Sequence, residues 1–151
     1  MLERTEEVVR QKEEVERQSR KVVELYNNVT DSIRYAKRLQ ESILPPDRRI
    51  RELLPNSFVY YRPKDIVSGD FYWFDRVDDK VLFAAVDCTG HGVPGAFMSL
   101  VGYNGLNQAV KEHGRSKPSE ILRELNRIAF DALHKDREQA LVRDGMDMAL
   151  C

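Results

Sequence analysis

Ser68-Gly69-Asp70-Phe71-Tyr72 and Val86-Asp87-Cys88-Thr89-Gly90-His91-Gly92 decide the fold of this chain. The two apolar runs are joined through Asp78-Asp79, a pair suited to the two-residue loop of a β-hairpin. A hairpin of residues 66–77 and 81–87 with that loop pairs Val77 with Lys80, and its register then sets Asp70 opposite Asp87. Cross-strand partners share one face of a sheet, with Cβ atoms about 4.5–5.5 Å apart. The spacing therefore predicts two neighbouring carboxylates.

Two carboxylates held that close repel each other unless they share a proton or a cation. A divalent cation with oxygen ligands is the simplest resolution, and carboxylates and carbonyls suit Mg²⁺ and Mn²⁺. The sequence lacks the Cys/His cluster that zinc favours. In a purely structural interpretation, Asp70 is a polar residue beside a glycine turn and Asp87 caps the helix that follows.

Composition excludes several classes of protein. The chain has 151 residues and a net charge of -1, so it lacks the basic excess of a nucleic-acid-binding surface. Its two cysteines, Cys88 and Cys151, imply no disulfide framework. No apolar run approaches the roughly 18 residues of a membrane span, and the charged start is not a signal peptide. We therefore expect no membrane segment in this chain and a cytoplasmic location.

Residues 1–44 contain neither glycine nor proline and carry an apolar residue at every seventh position, the pattern of a coiled-coil seam. The seam consists of Val8, Val15, Val22, Val29, Ala36 and Ile43. A companion seam from Thr5 to Gln40 is polar early and more apolar later. The pattern fits a parallel dimeric coiled coil that transmits a signal, or one solvated amphipathic helix packed on the domain. Pro45-Pro46 ends the helix in either case.

Residues 45–151 show the sequence patterns of both strands and helices, as in a mixed α and β domain. The apolar run 81–86 does not alternate, which is typical of a strand covered on both faces. Beyond the hairpin, we expect a strand at 58–61, helices at 94–113 and from Pro118, and a strand at 145–150. This order of elements suggests an α+β layered sandwich.

Gly90-His91-Gly92-Val93-Pro94-Gly95 matches the G-x-G-x-x-G pattern of dinucleotide-binding folds. Three features argue against a dinucleotide-binding site. The first is Asp87, which would direct a negatively charged carboxylate towards the pyrophosphate. The helix leads to another helix rather than to the second strand of a βαβ unit, and no acidic residue ends such a strand about 20 residues on. We therefore set nucleotide binding aside.

In combination, these motifs resemble the SpoIIE/RsbU-type serine phosphatases, the bacterial branch of the metal-dependent PPM protein phosphatases. The resemblance rests on Gly69-Asp70-Phe71-Tyr72, on Asp87-x-x-Gly90-His91-Gly92-x-Pro94-x-Ala96 and on Asp144-Gly145-Met146-Asp147. It covers roughly residues 30–151. It implies an α-β-β-α layered sandwich, incomplete in this chain, in which residues 45–151 form the N-terminal part of the phosphatase domain after a coiled-coil helix at 1–44.

The resemblance also implies roles for individual residues. Asp70 and Asp87 match metal ligands, and Cys88 sits where the family supplies a backbone carbonyl to the metals. His91 matches a general acid for the leaving group. Arg62 and Lys64 are candidates for binding substrate phosphate. Asp144 and Asp147 match the entry to a core strand rather than metal ligands.

By resemblance, the cofactors are two Mn²⁺ or Mg²⁺ ions. The substrate is phosphoserine or phosphothreonine on a regulatory protein such as an anti-sigma factor antagonist. The N-terminal helix would make a homodimer. The family's domain continues past Cys151, to a later Asp-Gly and a closing aspartate pair, so we expect little activity from these residues alone. The competing hypothesis is a non-catalytic coiled-coil module for dimerisation and signalling.

Overall fold

The structure, a computed structural model, describes residues 2–133 and 144–151. It divides into two compact units, Met1–Ala36 and Lys37–Cys151. Five helical segments and three strands are present in the described residues. They are α1 (Leu2–Ile43), α2 (Asp47–Leu53), β1 (Phe71–Val77), β2 (Lys80–Cys88), α3 (Gly92–Asn107) continued by a π-helical turn (Gln108–Glu112), α4 (Pro118–Leu133) and β3 (Met146–Leu150).

The first unit is helical throughout its described residues and carries the predicted apolar seam on its surface. Val8, Val15, Val22 and Val29 each leave between 59% and 64% of their surface exposed. Surface ion pairs such as Glu14 with Arg17, 2.7 Å apart, line the same helix. None of the described helices combines the length and the apolar character that a bilayer crossing requires.

The hairpin forms with the predicted register. Val77 pairs with Lys80 and Phe71 with Val86, so Asp70, one residue before β1, comes opposite Asp87. Asp78 in the loop has φ of 55°, a left-handed conformation that aspartate tolerates better than most residues. The two-residue loop therefore fixes which side chains share a face.

The third strand, β3, pairs antiparallel with β2 and completes a sheet of order β1-β2-β3. Alternate side chains, including Trp73, Ala84 and Val86, are buried in one core with Leu106 of α3 and Ile121 of α4. The opposite face is open: Phe83 is exposed, and so is Ala85. The expectation that β2 is covered on both faces was therefore wrong for the described residues, in which helices cover one face.

Among the described residues, the core includes a buried carboxylate that the sequence did not single out. Asp75 on β1 accepts hydrogen bonds from Arg49 of α2, at 2.9 Å, and from the backbone N–H of Arg76. Lys111 of the π-helical turn lies 3.3 Å from its other oxygen. Because a buried charge is costly without partners, these two cations fasten α2 and the π-helical turn to the sheet.

One predicted strand is absent from the described residues, and the bounds of two other predicted elements were wrong. Residues 58–61 form no strand, since no described strand lies beside them to complete a ladder. Strand β1 begins at Phe71 rather than at 66, because the backbone of Ser68 bonds to a helix side chain instead of to a strand. The helix predicted at 94–113 begins earlier, at Gly92, and changes to π-helical geometry after Asn107. The helix from Pro118 and the strand near 145–150 are confirmed.

Candidate functional site

Three aspartates lie side by side on the open face of the sheet, one just before β1 and one each in β2 and β3. Asp87 pairs with Asp147 of β3 on one side, and the β1 register brings Asp70 to its other side. Together they border a groove of about 800 Å³, which aromatic residues of the segment 58–61 and of the sheet also line. The open face is therefore apolar along its length and acidic at one end.

The pair Asp70 and Asp87 is close enough to share a proton. Partial burial raises the pKa of Asp70 above its usual range, and the charge of Asp87 and a hydrogen bond between the two carboxyl groups raise it further. Without a cation, one proton held between the two groups relieves their repulsion. A cation between them would do the same.

Backbone contacts hold the segment that delivers Asp70. The buried Gln40 of α1 donates to the carbonyl of Ser68 at 2.6 Å and accepts from its N–H at 3.0 Å. The Ser68 hydroxyl accepts from the N–H of Asp70, and Tyr61 donates to the Asp70 carbonyl at 3.1 Å. The position of Asp70 thus rests on contacts with residues distant in sequence.

Three glycines let the backbone segments of the site meet. A Cβ on Gly69 would lie 2.7 Å from the carbonyl oxygen of Gly90, and one on Gly95 would lie 2.6 Å from the same oxygen. Gly90 itself has φ of 90°, where other residues are strained. The turn after β2, the start of α3 and the approach to Asp70 therefore pack backbone against backbone.

Cys88 presents its side chain to the core, on the opposite face from Asp87. The thiol is buried, and this burial, with the charges of Asp70 and Asp87, raises its pKa to about 12. A thiol that stays protonated is a poor metal ligand. The carbonyl of Cys88 faces the approach to Asp70, since a Cβ on Gly69 would lie 3.2 Å from its oxygen. The geometry therefore leaves the backbone, not sulfur, for any contact with a cation.

His91 lies at the mouth of the same turn. It precedes α3 with extended backbone angles, φ of -131° and ψ of 173°, and leaves 77% of its side chain exposed. With Asp87, Cys88 and Asp147 it lines a second cavity of about 420 Å³. Its Nδ1 lies 2.9 Å from Oδ2 of Asp65.

The two proposed phosphate-binding residues are placed differently. Arg62 is exposed and lines the groove that contains Asp70 and Asp87. Lys64 is also exposed but lies outside the set of residues lining either cavity at the aspartates. The structure therefore places Arg62, but not Lys64, on the wall of the groove that Asp70 and Asp87 also line.

Sequence reasoning missed two neighbours of the site. Asp147 enters a strand, as expected, but its pairing with Asp87 sets it on the same face as the other aspartates. Asp65 was given no role, although it contacts His91. In the described part of the chain, no group of three or more His, Cys, Asp or Glu side chains is arranged to hold a metal ion. Among the described residues, the carboxyl groups in direct contact at this site are those of Asp70 and Asp87.

A solved structure resembles this chain: the SiaA-PP2C domain of Pseudomonas aeruginosa, with a TM-score of 0.70 and 34% sequence identity. The match covers 82% of this chain and 48% of that one, so this chain spans about half of that structure's length. No protein-family model matches the chain, and neither does any curated protein.

The described helices and the three-stranded antiparallel sheet are thus consistent with a partial PP2C-like domain. This likeness supports placing the chain in the PPM-type phosphatase family, the broader class to which the sequence motifs pointed.

Proposed function

We propose that this chain is the N-terminal part of a metal-dependent protein serine/threonine phosphatase of the SpoIIE/RsbU type. The observation that carries the proposal is the cross-strand pairing that sets Asp70 beside Asp87, next to a glycine turn that ends at His91. The likeness to a PP2C domain supports it independently.

The residues of the pair fit a hard divalent cation. Asp70 and Asp87 supply carboxylate oxygens, and the carbonyl of Cys88 lies on the same approach. Oxygen donors of this kind suit Mn²⁺ or Mg²⁺, whereas the Cys88 thiol is buried in the core on the other face of the strand from Asp87. Such ions, when bound, polarise a phosphoryl oxygen and make hydroxide available near neutral pH. The rest of the domain would supply the further ligands, including those that hold the second ion.

The chain's own side chains have separate parts in the proposed reaction. Arg62, on the wall of the groove, attracts the phosphate dianion through charge-assisted hydrogen bonds. His91 protonates the leaving serine or threonine oxygen. Lys64, which lies away from both cavities, would act only on more distant parts of the substrate.

The substrate is then phosphoserine or phosphothreonine on a regulatory protein, such as an anti-sigma factor antagonist. The exposed valine seam of α1 supports a homodimer through that helix, since burying such a seam against a second copy removes apolar surface from water. Through a dimeric α1, an upstream signal could be transmitted to the domain.

The test is a calorimetric titration of Mn²⁺ into the chain, with Asp87→Asn and the matched control Asp79→Asn. We expect Asp87→Asn to weaken Mn²⁺ binding at least about tenfold, the lower range for damage to a metal site. Asp79 is exposed in the hairpin loop at the other end of the strands, so the Asp79→Asn variant should bind Mn²⁺ as tightly as the unaltered chain does. Turnover of p-nitrophenyl phosphate is measured on a longer protein that contains the whole domain.

Equal Mn²⁺ affinity in the chain and in Asp87→Asn would contradict the proposed metal pair. The second candidate function, a non-catalytic coiled-coil module, is favoured by the same valine seam. It predicts a stable dimer in solution that neither binds Mn²⁺ through Asp87 nor gains turnover in the longer protein.

A further inference from the structure

The geometry points to Asp65 as the residue that positions the imidazole of His91, with Nδ1 on the carboxylate and Nε2 free for the substrate. This inference deepens the proposed function and rests on it for its role in the reaction. Its starting point is the 2.9 Å contact between His91 Nδ1 and Asp65 Oδ2.

The contact assigns a proton to one ring nitrogen. An ionised carboxylate only accepts hydrogen bonds, so the proton of this pair resides on Nδ1 of His91. A free neutral imidazole favours the other tautomer, with its proton on Nε2. Asp65 therefore selects the less common tautomer, in the way that a carboxylate fixes a histidine elsewhere in proteins.

Little else holds the ring. His91 is 77% exposed and Asp65 is 41% exposed, so packing constrains the imidazole weakly. The backbone on either side of it adopts left-handed angles that favour glycine, since Gly90 and Gly92 both have positive φ. Gly92 also faces the carboxylate, because a Cβ built there would lie 3.8 Å from Asp65 Oδ2. The direction of the ring thus depends on the hydrogen bond to Asp65.

The pair joins the two segments that deliver the aspartates. Asp65 lies five residues before Asp70 on the approach to β1, and His91 lies four residues after Asp87 on the turn that leaves β2. His91 lines the same cavity as Asp87 and Asp147. A ring anchored at Nδ1 can therefore offer Nε2 to a group held near those carboxylates.

The proposed reaction requires a proton at that position. When a phosphoserine is hydrolysed, the oxygen of water bonds to phosphorus, the bond from phosphorus to the serine oxygen breaks, and one proton of the water passes to solvent. The serine oxygen takes a proton from Nε2 of protonated His91. The ring is left neutral with Nδ1–H still on Asp65, and solvent returns the proton to Nε2. Asp65 gains and loses no proton in this step and only accepts the hydrogen bond from Nδ1, so it is a positioning residue.

Histidine NMR on the chain itself tests the pairing. Long-range ¹H–¹⁵N correlation at about pH 8.5, well above the ordinary histidine pKa of about 6.5, distinguishes the two neutral tautomers. We expect Nδ1–H for His91, a shift to mainly Nε2–H in Asp65→Ala, and restoration in Asp65→Glu. An exposed pair of this kind adds little to stability, so the variants should fold.

His113 is the internal control, because its Nδ1 lies 2.8 Å from Glu124 and should not respond to Asp65→Ala. The third histidine, His134, lies outside the described residues, and His91→Gln identifies the His91 signals. An Nε2–H tautomer at His91 in the unaltered chain, or a spectrum that Asp65→Ala leaves unchanged, would overturn the inference.

The role in the reaction has a readout of its own in the longer protein. Asp65→Ala should lower kcat about tenfold or more on a phosphoserine peptide, within the span of general acid effects, and far less on p-nitrophenyl phosphate. The nitrophenolate leaving group needs no proton, so equal losses on both substrates would overturn the leaving-group role. Absence of turnover in every form of the longer protein would refute the phosphatase proposal, while the NMR result would still decide the pairing.

Discussion

Replacing Gln40 should destabilise the unit Lys37–Cys151 far more than replacing any exposed glutamine of the same helix. Gln40 is buried and bonds to both backbone groups of Ser68, at 2.6 Å and 3.0 Å, and to the Ser99 hydroxyl at 2.7 Å. Ser99 keeps a partner in the carbonyl of Ala96. Ser68 is itself buried, so the change leaves its N–H and carbonyl without partners.

Each unsatisfied buried group costs about 1–3 kcal/mol, and water entering the vacated space recovers part of it. We expect Gln40→Ala to lower the free energy of unfolding by about 3 kcal/mol, a large part of the roughly 5–15 kcal/mol typical of a domain. Gln40→Met fills the same space without the amide. Gln40→Met should lower the free energy of unfolding by about two thirds as much as Gln40→Ala does. Most of the effect comes from the lost hydrogen bonds rather than from the lost volume.

Urea unfolding followed by the fluorescence of Trp73 measures the effect. Trp73 is the one tryptophan of the chain and is fully buried in the core of this unit. A loss of about 3 kcal/mol moves the midpoint by about 1–3 M urea for typical slopes of about 1–3 kcal/mol per M. The control is Gln18→Ala, whose side chain bonds to Glu14 on the exposed helix surface and which should change stability by less than about 0.5 kcal/mol. A midpoint for Gln40→Met within error of the unaltered chain would refute the reasoning.

Two further perturbations test the neighbouring parts of the site. Because the folded-state pKa of Asp70 is raised, the folded chain binds that proton more tightly than the unfolded chain. Its free energy of unfolding without metal should therefore fall as pH rises from the ordinary aspartate value of about 3.9 through the raised value. Urea midpoints measured from about pH 4 to pH 7 follow this decline. The decline should be smaller in Asp70→Asn, which has no carboxyl group to titrate there, and identical pH profiles in the two proteins would contradict a raised pKa at Asp70. Gly95→Ala should cost about 1–3 kcal/mol, since its Cβ would meet the Gly90 oxygen at 2.6 Å and backbone cannot yield. Gly145→Ala is the control, because the nearest atom to its Cβ is Thr89 Oγ1 at 4.0 Å, and thermal unfolding should separate the two variants clearly.

The register of the hairpin was predictable because it depends on local facts. A two-residue loop and a side-chain period of two leave one pairing, and that pairing set Asp70 opposite Asp87. The start of β1 was not predictable in this way. It depends on a contact between Gln40 and Ser68, 28 residues apart, which no local pattern reveals. The heptad spacing placed Gln40 at the end of the companion seam, but it gave no sign that this polar side chain would be buried.

Asp147 shows, within the candidate site, the same difference between what local sequence patterns predict and what long-range contacts decide. Its strand character could be inferred from Met146-Asp147-Met148, but its place beside Asp87 depends on strand pairing across 60 residues. No short loop connects these strands, so no counting from the sequence gives their register. Asp65 was hidden for the same reason, since its contact with His91 spans 26 residues.

The G-x-G-x-x-G match has a physical cause unrelated to nucleotide binding. The sheet it follows is antiparallel, so the βαβ unit of a dinucleotide site is absent from the described residues. Gly90 is needed for its positive φ, and Gly95 because its α-carbon packs on the Gly90 carbonyl and on Gly69. Both requirements come from bringing the Asp87 turn against the Asp70 segment. At these positions the missing side chain makes room for another stretch of backbone, and this close packing brings the segment of Asp70 against the turn that links Asp87 to His91.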